Sequence, residues 1–153
     1  MKLVQKTLLI LIALFILGCK KDKLDNEFNA FEGKWQWIYT YSRTSIFSDF
    51  NTNLRPESTG FEAYVEFTNK GKILFFIDNE KLAETKYQIK DQSKDGTSLN
   101  MELDFDIDEN GLALSGKRHF GINNDTVNFI GFPYEGYKTS QNTTNSGFYK
   151  RVQ

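Results

Sequence analysis

A chain of 153 residues, 39% hydrophobic, 15% aromatic and 25% charged, is long enough to bury one core and too short for several domains. Nineteen basic against twenty acidic side chains leave a net charge of −1, which excludes the strongly basic surface of a nucleic-acid binder. One cysteine and one histidine exclude an internal disulfide, a cysteine metal site and a histidine cluster, and no glycine-rich phosphate loop calls for a cofactor.

The N-terminus reads as a targeting segment. Lys2 and Lys6 form a basic start, and Leu8 to Leu17 is an unbroken apolar run, shorter than the ~20 residues needed to span a bilayer. The run ends in Ile16-Leu17-Gly18-Cys19, which resembles the lipobox of bacterial lipoproteins, with Leu17 bulkier than the residue common there. That resemblance implies removal of residues 1–18 and acylation of Cys19. Two or more acyl chains would hold the protein to a membrane stably. Residues 19–29, rich in lysine and aspartate, then read as a tether to a domain at 30–153. The expected location is the bacterial cell envelope, as an outer-membrane lipoprotein on the periplasmic face or the cell surface.

The domain reads as strands. In Lys34-Trp35-Gln36-Trp37-Ile38-Tyr39-Thr40-Tyr41 the rings fall at every second position, so strict alternation places Trp35, Trp37, Tyr39 and Tyr41 on one face. After a long connection at 42–60 with room for one short helix come strands at 61–67, 72–77 and 82–89. Leu99 to Ile107 alternates most cleanly, with Glu102, Asp104 and Asp106 opposite Met101, Leu103 and Phe105. Strands at 112–120, 126–132 and 147–152 complete the set. Asn69-Lys70-Gly71, Lys94-Asp95-Gly96 and Glu109-Asn110-Gly111 suit tight turns. Eight strands joined in this way predict an all-β, antiparallel up-and-down barrel, closed so that no edge is left exposed. Such a barrel is filled by side chains or holds one small ligand.

Gly33-Lys34-Trp35 resembles the Gly-x-Trp signature that opens the first strand of lipocalins, and Arg151 stands where that family carries an arginine against the tryptophan. The match is closer to the lipocalin-like domains of small Bacteroidetes lipoproteins, through Gly33 to Trp37, Pro56 to Gly60 and the closing Tyr149 to Val152. It covers about residues 30 to 153. The resemblance implies a structural role for Gly33, Trp35 and Arg151. In up-and-down order the connections 42–60 and 133–146 share one end. There Trp37, Tyr39, Tyr41, Phe47, Phe50, Arg55, Tyr134 and Tyr137 are the candidate ligand-binding residues.

Other patterns are weaker. Asp91 to Gly96 with Glu102 has the spacing of a calcium loop but lacks flanking helices, so a hairpin turn and no metal are expected. His119 lacks a nucleophile beside it in the sequence, so no catalytic residues and no enzyme activity are expected. The expected function is binding of a small apolar or amphipathic ligand at the barrel mouth. The alternative is a filled barrel that serves as a protein–protein interaction module on the envelope.

Overall fold

The computed structural model of the protein describes residues 26–43, 51–133 and 144–153. The chain enters through a 3-10 helix, Asn26–Phe31, whose Phe28 and Phe31 are buried although Phe28 falls within the expected tether. Among the described residues twelve strands follow: β1 Gly33–Arg43, β2 Asn51–Leu54, β3 Ala63–Phe67, β4 Lys72–Ile77, β5 Glu80–Lys86, β6 Gln88–Asp95, β7 Ser98–Asp104, β8 Ile107–Glu109, β9 Leu112–Leu114, β10 Lys117–Asn123, β11 Thr126–Ile130 and β12 Thr144–Arg151. One four-residue helix, α1 Pro56–Thr59, lies in the first long connection, as the sequence allowed.

Nine strands form one curled antiparallel sheet in the order β5-β4-β3-β1-β12-β11-β10-β7-β6. β2 pairs with the upper half of β1, and β8 pairs with β9 in a separate two-stranded sheet. The all-β expectation and the pairing of first strand with last therefore hold, but the ladder ends at β5 and β6 instead of closing without an edge, and three of the eight expected strands are interrupted. The chain bends at the buried Tyr87 between β5 and β6. The 99–107 run breaks at Phe105-Asp106, and the 112–120 run breaks at Ser115-Gly116. The segment Asp91 to Asp95, expected as a turn, is strand, and the tight turn lies at Gly96-Thr97. Part of the connection 42–60 is also strand, because β1 outruns β3. Gly33 to Gln36 pair with β3, and Thr40 to Arg43 pair with β2.

Alternation explains which side chains fill the concave side. Phe31, Trp35, Trp37, Phe67, Phe75, Met101, Leu103, Phe120, Phe129, Phe132 and Tyr149 are all under 2% exposed. They meet ring against ring: Phe120 stacks on Phe129 at 4.4 Å between centroids, Phe67 meets Phe120 edge-on at 5.2 Å, and Phe75 meets Phe132 at 5.1 Å. Offset and edge-on pairs of this kind add about 0.5–1.5 kcal/mol each beyond their burial. Tyr149 keeps its hydroxyl satisfied inside this core by donating to the Phe132 carbonyl, and burial pushes the phenol's pKa well up.

The convex side carries the polar partners. Glu84 on β5 meets Lys72 at 2.5 Å and Lys81 at 3.0 Å, and these two ammonium groups hold its carboxyl at about 2. Glu102 bridges Lys117 at 2.8 Å and faces His119 Nε2 at 3.2 Å, while Lys90 meets Asp104 at 3.3 Å. Of the acidic row read from the 99–107 run, Glu102 and Asp104 thus form a solvated face with cations beside it, while Asp106 lies past the break.

Candidate functional site

The lower end of β1 is a sealed floor. Trp35 Nε1 donates to the Phe31 carbonyl at 2.8 Å, which satisfies a fully buried indole and ties β1 to the 3-10 helix. The Arg151 guanidinium lies 4.3 Å from the Trp35 ring and donates to the Glu32 carbonyl at 2.8 Å and to the Ala30 carbonyl. A cation over an indole contributes about 0.5–2 kcal/mol, depending on how dry it is. Gly33 makes the approach possible: its φ is +114°, and a Cβ there would stand 3.1 Å from Arg151 Nη1. Gly33, Trp35 and Arg151 thus form one contact that joins the first and last strands.

Higher on β1 the alternation breaks. Trp35 lies opposite Arg151 and Trp37 opposite Tyr149, but Tyr39 lies opposite Phe148, so β1 carries one extra residue at Ile38. A β-bulge of this kind reverses the side to which every later residue points. Trp37 stays inside, stacked on Phe61 at 5.6 Å and donating from Nε1 to Thr40 Oγ1 at 2.9 Å. Thr40 takes the next inward place and is fully buried. The expectation that all four rings share one face therefore fails. Tyr39 and Tyr41 are half-buried on the convex side instead.

Outside, a different arrangement forms. Tyr39 stacks on Phe148 at 4.4 Å with 12° between the rings, and the Arg55 guanidinium stands 5.6 Å from the Tyr39 ring. Helix α1 places Arg55. Ser58 Oγ donates to the Arg55 carbonyl at 2.9 Å and accepts from the Arg55 N–H at 3.1 Å, and Gly60 closes the turn onto Pro56. Phe148 and Thr40 went unread as partners in the sequence, because nothing local marks Ile38 as an extra residue. Phe47, Phe50, Tyr134 and Tyr137 lie outside the described residues, as does Cys19.

Other groups have structural surroundings. Tyr64 donates to Glu62 at 2.5 Å, and this bond, helped by burial, pushes the phenol up to about 12 and keeps it protonated at neutral pH. Lys34 lies over the rings of Tyr64 and Phe76 at 4.2 and 4.8 Å. An open polar cleft of about 410 Å³ lies at the Trp35 end between Glu32-Gly33 and Glu66 to Lys70. Among the described residues no group of three or more His, Cys, Asp or Glu side chains is disposed to hold a metal ion. Among them, too, no helix is long and apolar enough to cross a membrane. Compared with known proteins, the chain matches no family model, no curated protein and no solved structure.

Proposed function

We propose that the protein is a lipid-anchored envelope lipoprotein whose barrel is packed solid and acts as a protein–protein interaction module through its outer surface. The observation that carries this reading is the interior. Trp37, the deepest candidate for a pocket wall, is fully buried against Phe61 and Thr40, and the rings below it contact one another. A barrel of this width has room either for side chains or for one small ligand. Tyr39, Phe148 and Arg55, aromatic and cationic groups that stay accessible, lie together on the convex side. Aromatic rings and arginine are the residue types enriched where proteins meet.

The lipocalin-like reading rests on the chain path. β5 and β6 run in the same direction and are separated by Tyr87 alone. Counted as one bent strand, they pair with β4 above the bend and β7 below it. On that count eight strands follow one another in up-and-down order around the curl, which supports the lipocalin-like reading. The Trp35–Arg151 contact is the second support. The anchor rests on the basic start, the short apolar run and Gly18-Cys19.

Native mass spectrometry of the lipoprotein extracted from its own host tests both parts. The expected result is a polypeptide starting at an acylated Cys19, bound to a second polypeptide. A lone chain holding one small molecule would replace this reading with ligand binding. Fractionation gives a separate check on the anchor: Cys19→Ala should leave the membrane fraction, and its retention there would refute acylation as the anchor.

A further inference from the structure

Residues 106–115 leave the sheet after β7 and rejoin it at β10. The neck is narrow: the Phe105 N–H donates to the Gly116 carbonyl at 3.4 Å, and the Gly116 N–H donates to Asp106 Oδ1 at 3.3 Å. Beyond it, β8 and β9 pair only with each other, around an Asn110-Gly111 turn in which both residues have positive φ, +49° and +82°. This is the turn chemistry that makes a two-residue hairpin self-sufficient.

The hairpin lies along β5, on the edge that β4 does not use. No ladder joins the two. Instead Thr85 Oγ1 donates to the Asp106 carbonyl at 2.9 Å, and Asn110 Nδ2 donates to the Leu82 carbonyl at 2.5 Å, one clasp near each end of the hairpin. On its inner side Ile107, Leu112 and Leu114 are buried against the core. Behind the neck stands Phe105, which packs on Phe75 at 6.2 Å.

We propose that residues 106–115 are a hinged flap that swings away from β5 as one unit, turning at Phe105-Asp106 and Ser115-Gly116. Opening separates two side-chain clasps and three aliphatic contacts and breaks no rung of the nine-strand sheet. Gly116, at φ +78° with open space where a Cβ would stand, allows the neck to turn. The open flap uncovers the Leu82–Thr85 backbone edge and the Phe75–Phe105 side of the core. Proteins open in contiguous cooperative units below the global unfolding free energy, and these units often coincide with supersecondary motifs such as this hairpin. The flap is independent of what the outer surface binds.

Hydrogen exchange on the full chain, read peptide by peptide, tests it. Amides of 106–115 should exchange at least about tenfold faster than those of β7 and β10, as a sub-global opening requires. Asn110→Gly keeps the positive-φ turn and removes one clasp. It should speed exchange in 106–115 by a further factor of about five, the worth of one hydrogen bond. Exchange of 106–115 in step with β7 and β10 overturns the proposal. So does an Asn110→Gly variant that leaves this segment unchanged or speeds every strand equally.

Discussion

Trp37→Ala is expected to lower the unfolding free energy by about 3–5 kcal/mol, whereas Tyr39→Ala, two residues along the same strand, costs about 1 kcal/mol. The difference comes from the bulge at Ile38. Removing the Trp37 indole empties a fully buried site, ends its stacking on Phe61 and leaves the buried Thr40 hydroxyl without its donor. Removing the Tyr39 ring ends one stack with Phe148 on a half-solvated face. Urea titrations followed by circular dichroism would measure both. For a domain of this size the Trp37 variant should melt roughly 10 °C or more below the parent. Equal losses at the two positions would put both rings on one face and remove the bulge.

Gly147→Ala is the second large effect, at about 2–3 kcal/mol, near the upper end of overpacking costs. Gly147 sits opposite Thr40 and Phe129 on the concave side. A Cβ there would stand 2.7 Å from the Phe132 carbonyl oxygen, 3.0 Å from Tyr149 Cε2 and 3.1 Å from the Tyr149 hydroxyl. A backbone atom cannot swing aside, and Tyr149 is pinned by its own bond to the same carbonyl. Gly121→Ala is the matched comparison. Its new methyl would also meet a neighbour closely, but that neighbour is the exposed Asn128 side chain, which can rotate into solvent. The denaturation midpoint should fall clearly for Gly147→Ala and by less than about 0.5 kcal/mol equivalent for Gly121→Ala. A neutral Gly147→Ala would mean that β12 does not run this close to Phe132.

These variants follow the division between what was legible and what was not. β4 at Lys72–Ile77 falls where its apolar run predicts. Met101 and Leu103 lie inward and Glu102 and Asp104 outward, as the alternation of the 99–107 run requires. Local pattern sufficed there because a sheet with one buried face writes its register into every second residue. β6 was unreadable for the opposite reason. Gln88 to Asp95 lies at the end of the sheet with mostly exposed side chains, so no alternation marks it as strand. The breaks at Tyr87 and Asp106 were hidden because apolar residues continue on both sides of each, whereas Ser115-Gly116, followed by Lys117-Arg118-His119, carries a turn signal inside the 112–120 run. In the candidate site, Trp35 facing Arg151 was implied by the resemblance to lipocalins. Tyr39 facing Phe148 was not.

By itself the sequence determined the strand class, the filling of one face with rings and the tight turns, each of which depends on residue type at a spacing of two or on a local turn. The meeting of the first and last strands was implied by the lipocalin resemblance. Only the tertiary structure decided where the alternation reverses, which edge the hairpin covers and that Arg55 reaches Tyr39. A bulge is a mismatch between two strands. It exists in the pairing of Trp37 with Tyr149 and Tyr39 with Phe148, and in neither strand read alone.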